Sequence, residues 1–241
     1  MPALFSFGQF GPTDYVALAL LVASWLIFGH LVEHPPAGRP SVTVLMAAYR
    51  RDWMREFVTR QPRIFDAAII DSLRQGTSFL ASATMIAIGG CVALIDKSER
   101  ILGLARDLTE SVAPEAVWDV KLIVILIFLT NAFLKFVWSH RLFGYCVILM
   151  ASVPNDPEAA GAYERADQAA EVNIHAARAF NRGLRAVYFS LGALAWLIGA
   201  LPLILATAVT LGLLWRREFA SKSRRVLIGG LRATLPRETA K

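Results

Sequence analysis

A chain of 241 residues that is 56 % hydrophobic and 18 % charged, with a mean hydropathy of +0.49, carries more apolar side chain than a soluble domain of its size ordinarily buries. The leading class is therefore an all-α, polytopic helical membrane protein. The net charge of +6 comes from Arg residues set beside apolar stretches rather than on a basic face with base-stacking aromatics, so lipid contact and topology explain it and no nucleic-acid partner is expected.

The first apolar run, YVALALLVASWLIFGHLV, predicts a span over Tyr15 to Val32, with Thr13 or Asp14 as N-cap and Pro35 and Pro36 as the stop. No Lys or Arg precedes it and no small-residue cleavage pattern follows, which makes it a retained span rather than a signal peptide. In SVTVLMAAYRRDWMREFVTR the apolar residues recur at three- to four-residue steps while Arg50, Arg51, Asp52 and Arg55 fall mostly elsewhere on the wheel. That pattern predicts an amphipathic helix suited to a membrane surface or a protein groove, with Tyr49, Trp53 and Phe57 as its candidate interface. After Pro62 no proline interrupts the chain up to Asp96, so one long helix is expected, polar in its first turns and apolar over a second span, 79–95.

The charge-mixed segment Asp96 to Lys121, containing ERILGLARDL, predicts a short surface helix. A third span follows over 117–138, its helix free to continue through RLFGYCVILM until Pro154 and Pro157 break it. From Glu158 to Arg185 an Ala-rich, charged stretch predicts a helix outside the lipid. Cys91 and Cys146 lie in separate apolar stretches without metal or redox spacing and are expected to be small packing residues. No internal repeat or linker is visible, so residues 1–241 are expected to form one domain.

The last apolar stretch, Val187 to Trp215, is about 29 residues, or roughly 43 Å as one helix, too long for an upright crossing of a core about 30 Å thick. Two arms of about 14 residues, roughly 21 Å each, are too short, so length alone does not decide. Charge does. The connection between the first two spans holds Arg39, Arg50, Arg51, Arg55, Arg60, Arg63 and Arg74, while no basic residue precedes Tyr15, so the N-terminus is expected outside. A single final crossing would export Arg216, Arg217, Lys222, Arg224, Arg225, Arg232, Arg237 and Lys241, whereas a turn at Gly199 to Pro202 keeps them in the cytoplasm. The expectation is about five passes in a bacterial inner membrane, the last two a short hairpin (187–199 and 202–215), with cytoplasmic helix extensions. The alternative is a Pro-kinked single helix with an external tail.

The candidate polar cluster is Arg63, Asp66, Asp71, Arg74, Asn131 and Lys135. In RIFDAAIIDSLRQG, Asp66 can pair with Arg63 and Asp71 with Arg74, and an ion-paired helix end is preferred to a proton or ion pathway. Lys135 and Trp138 suit an interface, the one snorkelling and the other anchoring, and Asn131 suits an interhelical hydrogen bond. His30 and His34 have a ligating i,i+4 spacing, and His140 lies at a similar expected depth. Pro35 follows at once, however, and no matching carboxylate or Cys cluster accompanies them, so no metal, haem or other cofactor is expected. No Ser-His-Asp order, glycine-rich phosphate loop or H-E-x-x-H pattern is present, and no catalytic residue is expected.

Four ordered stretches, RIFDAAIIDSLRQGTSF, KFVWSHRLFGY, FNRGLRAVYF and WRREFASKS, separated by apolar spans, resemble the bacterial and plant membrane proteins grouped as domain of unknown function family 599. The resemblance covers roughly Tyr15 to Arg225 and implies an integral membrane protein without supplying an activity. The expected function is a non-enzymatic accessory or scaffold component partnering the lipid bilayer and other membrane subunits or itself. The alternative is a small channel or transporter with a polar route near Asp66, Asp71, Asn131 and Lys135.

Overall fold

The computed structural model describes residues 10–96 and 115–234. Among them the chain forms α1 (Pro12–Glu33), α2 (Val42–Thr59), α3 (Ile64–Asp96), α4 (Glu115–Ala151), α5 (Ala162–Ala193), α6 (Ala200–Phe219) and α7 (Lys222–Thr234), with a 3-10 turn (Leu194–Leu197) after α5 and no strand. Among the described residues four stretches are long and apolar enough to cross a membrane: Pro12–Glu33, Ile64–Ile95, Ala116–Ala151 and Ala200–Gly230. The arm expected over 187–199 is not a separate element, because it is the end of α5 plus the 3-10 turn. Most of the expected surface helix, 97–114, lies outside the described residues, and Glu115 to Lys121 already belong to α4.

Local chemistry fixes the helix ends. The cap of α1 is Gly11 rather than Thr13 or Asp14, with Asp14 in the first turn reaching back to accept from the Gly11 N–H at 3.2 Å. Ser41 caps α2 by accepting from the Val44 N–H at 3.2 Å, and its hydroxyl donates to the Val32 carbonyl at 2.7 Å, tying the end of α1 to the start of α2. The two longest helices, α3 (33 residues) and α4 (37 residues), run past the thickness of a bilayer core, to roughly 50 and 55 Å.

These rods stand antiparallel, with Cys91 Sγ donating to the Leu122 carbonyl (3.5 Å) near one end and Ser78 hydrogen-bonded to His140 (3.1 Å) further along. Helix α5 returns antiparallel along α4, with Cys146 Sγ donating to the Ala169 carbonyl at 3.5 Å and Ser139 Oγ to the Ala176 carbonyl at 2.8 Å. The Ala-rich helix expected here buries a face of Ala162, Ala166, Ala169, Ala170, Ala176 and Ala179, because small side chains let its backbone come close to α4.

The chain then reverses at Gly199, as the charge pattern predicts. Gly199 is extended, α6 starts at Ala200, and Gly192 of α5 lies against Thr210 of α6. Helix α1 runs alongside α6, with Trp196 donating to Asp14 at 2.7 Å at one end and Phe28 edge-on to Phe219 at the other.

Two hydrophobic cores result. One, around Leu21, Phe28, Leu122, Phe128, Phe189, Trp196 and Leu203, joins the apolar halves of the helices. The second, around Met54, Phe57, Ile70, Cys146, Met150, Ala166 and Ala169, holds together a cap built from α2 and the polar halves of α3, α4 and α5. Phe136, Ala132 and Ala186 sit between them.

Candidate functional site

The charged residues concentrate where the two cores meet and in the cap beyond. Asp66 is fully buried: its Oδ1 accepts from Trp53 Nε1 at 2.6 Å and from Arg60 Nη1, while Oδ2 has no hydrogen-bond partner. The expected partner Arg63 is engaged elsewhere, donating to the carbonyls of Val153 (2.8 Å), Pro154 (2.7 Å) and Val58 (3.1 Å) with its guanidinium 4.4 Å over the Phe57 ring. The carbonyls just past the end of α4 thus take the cation that the i,i+3 spacing offered to Asp66. Asp71 likewise accepts from Gln75 at 2.7 Å rather than from Arg74, whose Nε is buried and unpartnered. Arg63, Asp71 and Arg74 line one cavity of about 390 Å³ with Phe57, Ile70 and Met150.

The candidate interface of α2 is used within the chain. Phe57 is in the cap core, Trp53 serves Asp66, and the Tyr49 hydroxyl donates to the Leu227 carbonyl of α7 at 3.0 Å. Helix α2 also meets α5 through Arg51 with Glu171 (2.6 Å), Arg55 with Asp167 (3.2 Å) and Arg50 with Asn173. Burial pushes the Arg50 guanidinium below its ordinary pKa.

At the end of α1, Glu33 accepts from both Arg182 and Arg185, the latter at 2.7 Å. The two cations respond oppositely. The hydrogen bond to Glu33 raises the pKa of the half-exposed Arg182, whereas desolvation outweighs the same carboxylate for Arg185, whose side chain is 8 % exposed. Nearby, Glu218 accepts from the Thr43 N–H and hydroxyl, both at 3.1 Å. A cavity of about 320 Å³ lies beside them, lined by Arg50, Arg178, Arg217, Glu218, Asn181 and Thr77 among others.

Lys135 lines a separate groove between α4 and α5 with Trp138, His175, Arg178 and Arg182. The interhelical hydrogen bond expected of Asn131 is not formed among the described residues, and Ser139 and Cys146 make buried α4–α5 hydrogen bonds instead. The candidate cluster is thus divided. Asp66 is enclosed against α2, while Arg63, Asp71 and Arg74 share one cavity and Lys135 faces another. The rings of His30 and His34 stack with centroids 4.6 Å apart, and His140 meets Ser78.

Sequence reading did not single out Glu33, Arg178, Arg182, Arg185 or Glu218 as site residues. A signal was there. KFVWSHRLFGY, FNRGLRAVYF and WRREFASKS meet at this level: Gly183 packs on Phe136, Arg217 and Glu218 share a cavity lining with Arg185, and the first stretch joins through Ser78 and His140.

A helical bundle with four membrane-length apolar helices, a second core beyond them and a charged layer between defines a multi-pass membrane protein with a helical cap. Residues 16–223 match the family described as "Protein of unknown function, DUF599", and the chain belongs to that family. No curated protein and no solved structure matches it.

Proposed function

We propose that this protein is a non-enzymatic accessory or scaffold component of the bacterial inner membrane, with its N-terminus outside and its cap and C-terminus in the cytoplasm, associating with other membrane subunits or with itself through α3. The observation that carries the reading is the one-sided packing of α3, whose extensive contacts are with α4. Its other side is exposed and sets the small residues Ala83, Gly90 and Ala93 among the large Phe79 and Ile86. A Cβ placed on Gly89 or Gly90 would meet nothing within 4 Å. In lipid, helices associate where small residues let backbones approach, so this side suits a further helix. The channel reading needs Asp66, Asp71, Asn131 and Lys135 along one route, and their separation favours the accessory role.

The test is the size of the full-length protein extracted in mild detergent. An assembly larger than one chain is expected, and Ala83→Leu with Gly90→Leu should release the single chain with its unfolding midpoint unchanged. A single chain at the outset, or an assembly indifferent to both substitutions, overturns the reading.

A further inference from the structure

The groove between α4 and α5 is electrostatically incomplete. Lys135, His175, Arg178 and Arg182 line it together with Trp138, Leu142, Val172 and Ala179, and no carboxylate is in that lining. It encloses about 410 Å³. Arg182 shares Glu33 with Arg185, and Glu171, one turn along α5 from His175, is occupied by Arg51. Lys135 and Arg178 have no hydrogen-bond or ion-pair partner among the described residues. Lys135 and Arg178, lining one groove without a counter-charge of their own, repel, and an anion between them removes that repulsion and gains charge-assisted hydrogen bonds.

The surroundings say what carries the anion. The groove lies level with the end of α1, where an apolar helix gives way to charge. On α4 it continues into an exposed apolar ridge of Ile127, Leu134 and Trp138 that runs along the membrane-length stretch. A soluble anion has no use for that ridge, whereas acyl chains lie along it when the phosphate sits between Lys135 and Arg178, with Trp138 at headgroup depth. We infer that this groove is a binding site for the phosphodiester headgroup of an anionic phospholipid. Arg178 offers a planar fork to the phosphate oxygens and Lys135 a point charge, while Arg182, its fork held by Glu33, lines the edge of the site.

The test uses the full-length protein in neutral detergent, with retained lipid counted by native mass spectrometry and the unfolding midpoint followed as lipid is added. Phosphatidylglycerol should be retained and raise the midpoint, while phosphatidylcholine and inorganic phosphate should do neither. Lys135→Gln and Arg178→Gln should each weaken phosphatidylglycerol binding about fivefold and the pair about twenty-fivefold, whereas Lys135→Arg should keep it. Equal retention of phosphatidylcholine, equal protection by inorganic phosphate, or full binding by a double variant with an unchanged lipid-free midpoint overturns the assignment. A photoactivatable phosphatidylglycerol gives a readout in the wild-type protein that needs no variant. Its cross-links should fall on the groove residues, and cross-links confined elsewhere overturn the assignment as well.

Discussion

A carboxylate with no exposure, such as Asp66, is tolerated only where neighbouring donors replace the water it has lost. Trp53 and Arg60 do this at one oxygen, and they also fasten α2 and its following turn to the start of α3. Trp53→Phe keeps the ring and deletes the N–H, so it should cost about 1.5 to 3 kcal/mol, read as a lower unfolding midpoint of the purified protein. Asp66→Asn in the same chain removes the charge that makes the lost donor expensive. The double variant should therefore lose clearly less than the sum of the singles, and additive losses would show that the two side chains are not coupled. The α2–α5 ion pairs differ in kind. Arg51 with Glu171 and Arg55 with Asp167 are half exposed, so each contributes little stability and serves mainly to set the register of α2 on α5.

Helices α4 and α5 come close at Gly183, where an added Cβ would stand 2.7 Å from the fully buried Phe136 ring. Phe136 sits between the two cores and cannot swing aside freely, so Gly183→Ala should destabilise the protein by about 1 to 3 kcal/mol. Phe136→Leu in the same chain should recover part of that loss, and thermal unfolding of the three variants checks both statements. This contact also marks the limit of what periodicity conveys. The apolar helices other than the 187–199 arm, the break at Gly199 and the unbroken rod from Ile64 to Asp96 are legible because apolar runs, prolines and glycines act locally. The buried alanine face of α5 is not marked in the sequence, since Ala is equally at home on either side of a helix and only the register against α4 decides. Asp66 was assigned to Arg63 for a similar reason: the spacing was right, but the carbonyls that claim Arg63 come from Val153 and Pro154, far away in the chain. The cationic groove was half visible in Lys135 and Trp138, while Arg178 and Arg182 join it only through the α4–α5 pairing.

For the molecule as a whole, the reversal at Gly199 raises a problem of length that the structure answers differently on the two arms. Helix α6 has 20 residues, about 30 Å, because it continues past Trp215 to Phe219, so this arm alone matches a bilayer core. The α5 arm from Arg185 to Trp196 rises only roughly 18 Å. Its two long terminal side chains close the difference, Arg185 reaching Glu33 at one end of α1 and Trp196 reaching Asp14 at the other, as amphipathic side chains do at interfaces. The arm is thereby fastened at both ends to a helix of 22 residues, which sets the depth that the hairpin must share. Accessibility from the two sides of the membrane tests this directly. With the buried Cys91 and Cys146 replaced by Ala, a cysteine at the exposed Ile198 should react with a membrane-impermeant maleimide in intact cells whose outer membrane is permeable. One at Lys222 should react only after the inner membrane is opened. If Lys222→Cys reacts in intact cells while Ile198→Cys does not, the basic tail is outside and the orientation is inverted. If both are protected until the inner membrane is opened, the hairpin turns back before reaching the far surface, and the fastening of Trp196 to Asp14 then lies within the bilayer rather than at its edge.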